Sequence, residues 1–158
     1  MQKIVTSLWF DGQAEEAAEF YVSLFDDSRI VNIPRFGEGG PAPAGTAITV
    51  DFELAGQSFN ALNGGPQFKF TEATSLIVHC EDQEEVDRLW FALVADGGEP
   101  SQCAWLKDRF GLSWQIVPTR LNELLSDPDP GRSQRAMQAM LKMTKIEIAE
   151  LEAAAEAA

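Results

Sequence analysis

The sequence predicts an α+β fold of two tandem βαβββ modules followed by a C-terminal helical extension. Three observations carry this. A strand–helix–strand order occurs twice along the chain. The two helices match residue for residue: Glu15-Glu16-Ala17 lies over Glu84-Glu85-Val86, Phe20-Tyr21 over Leu89-Trp90, and Leu24-Phe25 over Leu93-Val94. The closing strands match too, with Gly56-Gln57-Ser58-Phe59-Asn60-Ala61-Leu62 over Gly111-Leu112-Ser113-Trp114-Gln115-Ile116-Val117. Matches in two elements, in the same order, indicate a duplicated unit.

Lys3 to Phe10 is rich in β-branched and aromatic residues and reads as a strand, ended by Asp11-Gly12. Ala14 to Phe25 reads as a helix, because Ala17, Phe20, Tyr21, Leu24 and Phe25 recur at helical spacing. Glu15, Glu16 and Glu19 fill its other face, the first two near the N-terminus, where the helix dipole favours anions. Arg29 to Phe36 reads as a second strand, and Gly37 to Gly45, dense in Gly and Pro, as a loop. In Thr46 to Leu54 the residues Ile48, Val50, Phe52 and Leu54 alternate as a third strand requires. Ala55-Gly56 reverses the chain into a fourth strand, Gln57 to Asn63, and Gly64-Gly65-Pro66 ends the first module, at about residue 66.

The second module spans about 73–118. Thr74 to Cys80 is its first strand, and Gln83 to Ala95 is a helix with Val86, Leu89, Trp90, Leu93 and Val94 on one side. Gly97-Gly98 closes that helix. Short strands follow near Gln102 to Lys107 and Leu112 to Val117. Residues 1–118 thus form one domain of paired modules, and 119–158 an extension. In the extension a helical turn at Leu121 to Leu125 is stopped by Asp127-Pro128-Asp129-Pro130. A long helix then runs from Ser133 to about Ala155, with a stripe of Met137, Met140, Leu141, Ile148 and Leu151. That stripe is expected to dock on the sheet exterior or on a partner chain.

Composition excludes several functions. A net charge of −13, from 25 acidic and 12 basic residues, repels nucleic acid but leaves room for a cationic ligand. No apolar run approaches the roughly 20 residues of a membrane span, so no membrane partner is expected. With no secretory h-region and only Cys80 and Cys103, outside any Cys-x-x-Cys motif, a cytoplasmic location with reduced thiols is expected.

The duplicated βαβββ pattern resembles the vicinal-oxygen-chelate superfamily of glyoxalases, bleomycin-resistance proteins and dioxygenases. Leu8-Trp9-Phe10-Asp11-Gly12, Ala61-Leu62-Asn63-Gly64-Gly65-Pro66, Trp105-Leu106-Lys107-Asp108, Gly111 to Pro118 and Leu125 to Pro130 are similar to its PhnB-like branch. The resemblance covers nearly the whole chain, the tail included. The branch often carries the label 3-demethylubiquinone-9 3-methyltransferase. The sequence lacks the glycine-rich turn after a first parallel strand that binds S-adenosylmethionine, since Gly37-Glu38-Gly39-Gly40-Pro41 lies in an inter-strand loop. No cofactor is therefore expected.

The resemblance implies a curved sheet around a cleft, with metal ligands on the first and fourth strands of each module. Carried onto this chain, those positions are Thr6, Asn60, Ser75 and Gln115. None is an imidazole or a carboxylate, and neutral hydroxyls and amides are poor ligands for divalent ions. His79 is the one histidine of the sequence, so no two-histidine set exists. No metal is expected. Strand parity adds Leu8, Phe10, Ile77 and His79 to the same face, and Trp105 is a candidate for stacking on a flat ligand. Trp9, Trp90 and Trp114 are expected in the core by the same parity.

Two readings stand for most of these residues. The four polar positions either bind a ligand or satisfy one another in a vestigial pocket. His79, beside Glu81 and Asp82, is either a general base or a surface histidine, and Cys103 either a nucleophile or a structural cysteine. Phe68 and Phe70 lie in a segment that is either a lid or a linker. The functional expectation is a metal-independent protein that binds a small molecule of unassigned identity, with an enzyme of unassigned chemistry as the alternative. The resemblance implies a homodimer.

Overall fold

In the first unit, β1 (Thr6–Phe10), α1 (Ala14–Leu24), β2 (Arg29–Asn32), β3 (Thr49–Leu54) and β4 (Gln57–Asn63) form a mixed sheet under one helix. The computed structural model describes residues 2–157, and its contacts separate a first unit, Met1–Lys69, from a second, Phe70–Ala158. The strand order is β1-β4-β3-β2; β1 runs parallel to β4, and the remaining pairs are antiparallel.

Alternation in β3 decides the packing. Val50, Phe52 and Leu54 are buried, and Thr49, Asp51 and Glu53 face the other way. The apolar side meets α1, whose Ala14, Ala17, Ala18, Tyr21 and Leu24 are buried. Phe52 sits at the centre, its ring 5.5 Å from Phe59 and 6.5 Å from Tyr21. Truncating such a fully buried ring to alanine costs about 3–5 kcal/mol.

α1 has no side-chain cap of its own at Gln13. Asn63 supplies one from the end of β4: its Oδ1 accepts from Ala14 N at 2.9 Å, and its Nδ2 donates to Ala47 O at 3.0 Å. The second strand is shorter than the sequence suggested. A register shift between Ile30 and Asn32, then Pro34, ends its ladder, and Arg35 keeps only an isolated bridge to Ala47.

The second unit repeats the plan with β5 (Ser75–Cys80), α2 (Gln83–Val94), β6 (Glu99–Pro100), β7 (Trp105–Lys107) and β8 (Ser113–Pro118), in the sheet order β5-β8-β7-β6. Asp82 caps α2 by accepting from Glu85 N at 2.9 Å. Val86, Leu89, Trp90 and Leu93 of α2, and Leu106, Trp114 and Ile116 of the sheet, are buried. The two-residue β6, Glu99-Pro100, carried no strand signature of its own.

The tail contains the expected helical turn at Leu121 to Leu125, but two helices stand where one long helix was expected. It forms α3 (Thr119–Leu125), α4 (Pro130–Met140) and α5 (Ile148–Glu156), with 141–147 outside any helix. Those residues spend their backbone elsewhere. Met143 O and Thr144 O accept from Cys103 N and Ala104 N at 2.8 and 2.9 Å. The Gln83 amide bridges the same segment, donating to Ile146 O at 2.9 Å and accepting from Ile148 N at 2.7 Å. The expected stripe splits accordingly: Leu151 is buried, whereas Met137 and Leu141 are exposed. Met143, Ile146, Leu151 and Ala155 instead join Leu121, Leu124, Val117 and Ala104 in one apolar cluster. Among the described residues, no helix is long and apolar enough to cross a membrane.

Candidate functional site

Each sheet has one face covered by its helix and one open face. In the first unit the register pairs Ser7 with Asn60, and Thr6 with Phe59. Ser7 Oγ donates to Asn60 Oδ1 at 2.9 Å, and Asn60 Nδ2 donates to Asp51 Oδ1 at 2.8 Å. The open face therefore carries Ser7, Trp9, Asp51 and Asn60.

This corrects three expected positions. Thr6 shares strand parity with Leu8 and Phe10, which are each 4% exposed and belong to the core under α1. The cause is a one-residue difference between the modules. Three residues, Asp11, Gly12 and Gln13, separate β1 from α1, but two, Glu81 and Asp82, separate β5 from α2. The extra residue is accommodated by Gly12 at φ +82°, a left-handed conformation that glycine adopts without a Cβ clash. Counting back from the helix then lands one residue late, on Thr6, and a one-residue slip moves a side chain to the opposite face.

Trp9 is the matching correction, since it is on the open face and not in the helix-side core. Its Nε1 donates to Gly65 O at 2.8 Å, and Phe68 meets its ring edge-on at 4.9 Å. Gly64 passes so close that a Cβ there would lie 2.3 Å from the indole, so the segment after β4 is folded onto Trp9. Trp90 and Trp114 are buried as expected.

In the second unit the register pairs Ile77 and Trp105 with Gln115, and His79 with Val117. Ser75, Ile77, His79, Trp105 and Gln115 thus share the open face, and Gln115 Nε2 donates to Ser75 Oγ at 2.9 Å. Ile77, His79, Trp105, Gln115 and Val117 line a cavity of about 300 Å³. Sequence reasoning missed Val117 and the remaining walls, Cys103, Ala104, Leu121, Asn122 and Met140. The last three come from α3 and α4, whose approach to this face no local pattern announces.

The turn that carries Trp105 is strained. Cys103 and Ala104 hold φ of 57° and 79°, a left-handed pair without glycine. Their N–H groups are fixed by the carbonyls of Met143 and Thr144, and Ala104 O accepts from Ile116 N at 2.9 Å. Such conformations persist where surrounding structure over-determines them, and they cluster at ligand-contacting sites.

Behind β8, Asp108 organises the turn into the strand. It is 2% exposed and accepts from Phe110 N at 2.9 Å, Leu112 N at 3.1 Å and Trp114 Nε1 at 2.9 Å. Cys80 faces the helix side, where burial pushes its thiol up to about 12, so it is not a nucleophile at neutral pH. Among the described residues no three His, Cys, Asp or Glu side chains come together as metal ligands.

The chain matches the family model described as 3-demethylubiquinone-9 3-methyltransferase over residues 2–117. No curated protein matches it. Among solved structures, the PhnB protein from Bacillus cereus is 42% identical, with 74% of this chain and 99% of that one covered and a TM-score of 0.69. Protein PA1353 from Pseudomonas aeruginosa shares the fold at 22% identity, covering 75% of this chain and 98% of its own, with a TM-score of 0.60. A glyoxalase/bleomycin resistance protein from Albidiferax ferrireducens T118 is more distant, at 13% identity, 72% and 94% coverage and a TM-score of 0.47. With a family match across most of its length and the two-module α+β architecture in place, the chain belongs to the 3-demethylubiquinone-9 3-methyltransferase family, of which the PhnB protein is a relative.

Proposed function

We propose that the open face of the second sheet binds a small molecule directly, without a metal ion. The observation that carries this is the cavity of about 300 Å³. It combines an apolar lining, Ile77, Val117, Leu121 and Met140, with an aromatic plane, Trp105, and a few polar groups, Gln115, Asn122 and His79. Small-molecule sites have this size and this mixture. The metal-free part rests on the residue types. Of the four expected ligand positions, Asn60, Ser75 and Gln115 stand on the open faces, and their hydroxyl and amide groups bond one another or, in the first unit, Ser7. The methyltransferase description is carried by the family name alone.

One observation favours a second reading, an enzyme of this superfamily with other chemistry. His79 and Cys103 line the same cavity. A binding protein captures its ligand stoichiometrically, whereas an enzyme releases product. We also propose a homodimer, supported by the exposure of Ile4 at 83% and Phe68 at 66%; light scattering of the full chain tests it.

The test of the main reading is calorimetric titration with naphthalene-2-methanol, a neutral aromatic probe of suitable size, with and without a chelator. Saturable one-to-one binding that the chelator leaves unchanged is the expected result. Binding that disappears with chelator would overturn the metal-free reading.

A further inference from the structure

We infer that the C-terminal helices select what the cavity of the second unit accepts, and that they and their neighbours favour a planar neutral or cationic compound over an anion. This rests on the reading of that cavity as a binding site.

The family match ends at residue 117, before α3 begins, and so does not extend to the tail resemblance expected at Leu125 to Pro130. Yet Leu121 and Asn122 of α3 and Met140 of α4 form one wall of the cavity. The part of the chain matched by the family thus supplies the sheet lining, and the tail supplies Leu121, Asn122 and Met140. That wall is well anchored: Leu121 and Leu124 are buried in a cluster with Ala136, Ile146 and Leu151. The tail also sets the sheet side indirectly. Carbonyls of Met143 and Thr144 hold the strained Cys103-Ala104 pair, and Trp105 is the next residue. A change in the tail therefore acts on the wall directly and on Trp105 through the Cys103-Ala104 turn.

The chemistry of the lining defines the ligand. Trp105 offers a flat face, and Met140 a flexible, polarisable thioether, which together suit a planar ring. No Lys, Arg, Asp or Glu is among the lining residues. An anion entering would lose hydration with no fixed counter-charge, against the field of a chain carrying a net −13. A neutral or cationic head does not meet that field as a barrier, and Gln115 and Asn122 can accept its hydrogen bond.

The experiment uses three probes on one skeleton: naphthalene-2-methanol, 2-naphthylmethylammonium and 2-naphthoate. Binding to the full chain is followed by ligand-observed NMR, with melting curves to confirm that each variant folds. Gln115→Ala alters the sheet side; Met140→Trp and Asn122→Leu alter the tail side. In the wild type the alcohol and the ammonium should bind at least about tenfold tighter than the carboxylate, a difference of about 1.4 kcal/mol. Met140→Trp should weaken both by about tenfold or more, and Asn122→Leu should narrow the preference for the probes with a donor head. If Gln115→Ala weakens binding while both tail variants bind as wild type, the cavity reading stands and this inference fails. Equal binding of the carboxylate overturns the charge preference. If no probe binds, or every variant binds alike, the cavity reading itself fails and this inference falls with it.

Discussion

Gln115 Nε2 donates a 2.9 Å hydrogen bond to Ser75 Oγ, and in the other unit Ser7 Oγ donates to Asn60 Oδ1 at the same distance. Each open face thus carries a hydroxyl and an amide joined across a parallel strand pair. Both groups are neutral, and each satisfies part of the other's hydrogen-bonding capacity. A site of this kind positions polar groups; it does not concentrate the negative charge that a divalent ion requires.

Gln115→Glu tests how much of that neutrality matters. The side chain keeps its shape, and the half-buried carboxylate can accept from the Ser75 hydroxyl. Thermal stability at neutral pH should change by no more than about 1 kcal/mol. The new carboxylate adds one charged ligand to a face where, among the described residues, no three His, Cys, Asp or Glu side chains come together, so the variant should retain no stoichiometric metal. Melting curves and elemental analysis of the purified variant check both outcomes.

The β3–β4 reversal is a two-residue turn with φ of 49° at Ala55 and 81° at Gly56. Positive φ at both central positions is the geometry that favours Asn-Gly, and an alanine there carries a Cβ penalty. Ala55 is exposed, so nothing is lost in packing. Ala55→Asn should stabilise the protein by about 0.5–1 kcal/mol and raise Tm by a few degrees. A lowered Tm would contradict the turn assignment.

Asp108→Asn should be among the most destabilising polar substitutions, at about 2–4 kcal/mol. Two oxygens now accept from two backbone N–H groups and the Trp114 indole. An amide nitrogen in place of one oxygen would confront a donor with a donor. Trp114→Phe removes the indole N–H, so the double variant should lose less than the sum of the two singles. A double-mutant cycle by chemical denaturation measures that coupling.

The two thiols should differ in reactivity. Cys103 is partly exposed at the cavity, whereas Cys80 is fully buried and free. A thiol reagent at neutral pH should modify one cysteine in the native protein and both in denaturant. Burial, and next the neighbouring Glu85 carboxylate, raise Cys80 from an ordinary 9.0 to about 12. The unfolded chain therefore releases this proton first as pH rises. Cys80 contributes stability that is fully present below pH 9 and lost progressively towards pH 12. A Cys80→Ala variant should show a flatter decline in Tm over that alkaline range.

Much of the fold was legible because alternation and helical spacing report burial directly. Val50, Phe52 and Leu54 alternate in sequence and are buried in the structure, and β4 spans the residues its pattern marked. The second half of the candidate site was legible for the same reason: Ile77, His79, Trp105 and Gln115 share one face. The first half was displaced because helix alignment cannot detect one extra residue in a turn, and Gly12 absorbed it. The tail was misread because Met143 and Thr144 use their carbonyls on a distant strained turn, a tertiary demand that helix propensity does not contain. The wall formed by Leu121, Asn122 and Met140 followed from that same unseen docking.

The most direct test of the central claim is native mass spectrometry of tag-free protein, exposed to zinc, nickel and manganese, then to naphthalene-2-methanol. The account predicts chains that retain no stoichiometric metal and gain one probe mass each, with the gain reduced in Gln115→Ala and Met140→Trp. One divalent ion held per chain, and probe binding that depends on it, would contradict the account.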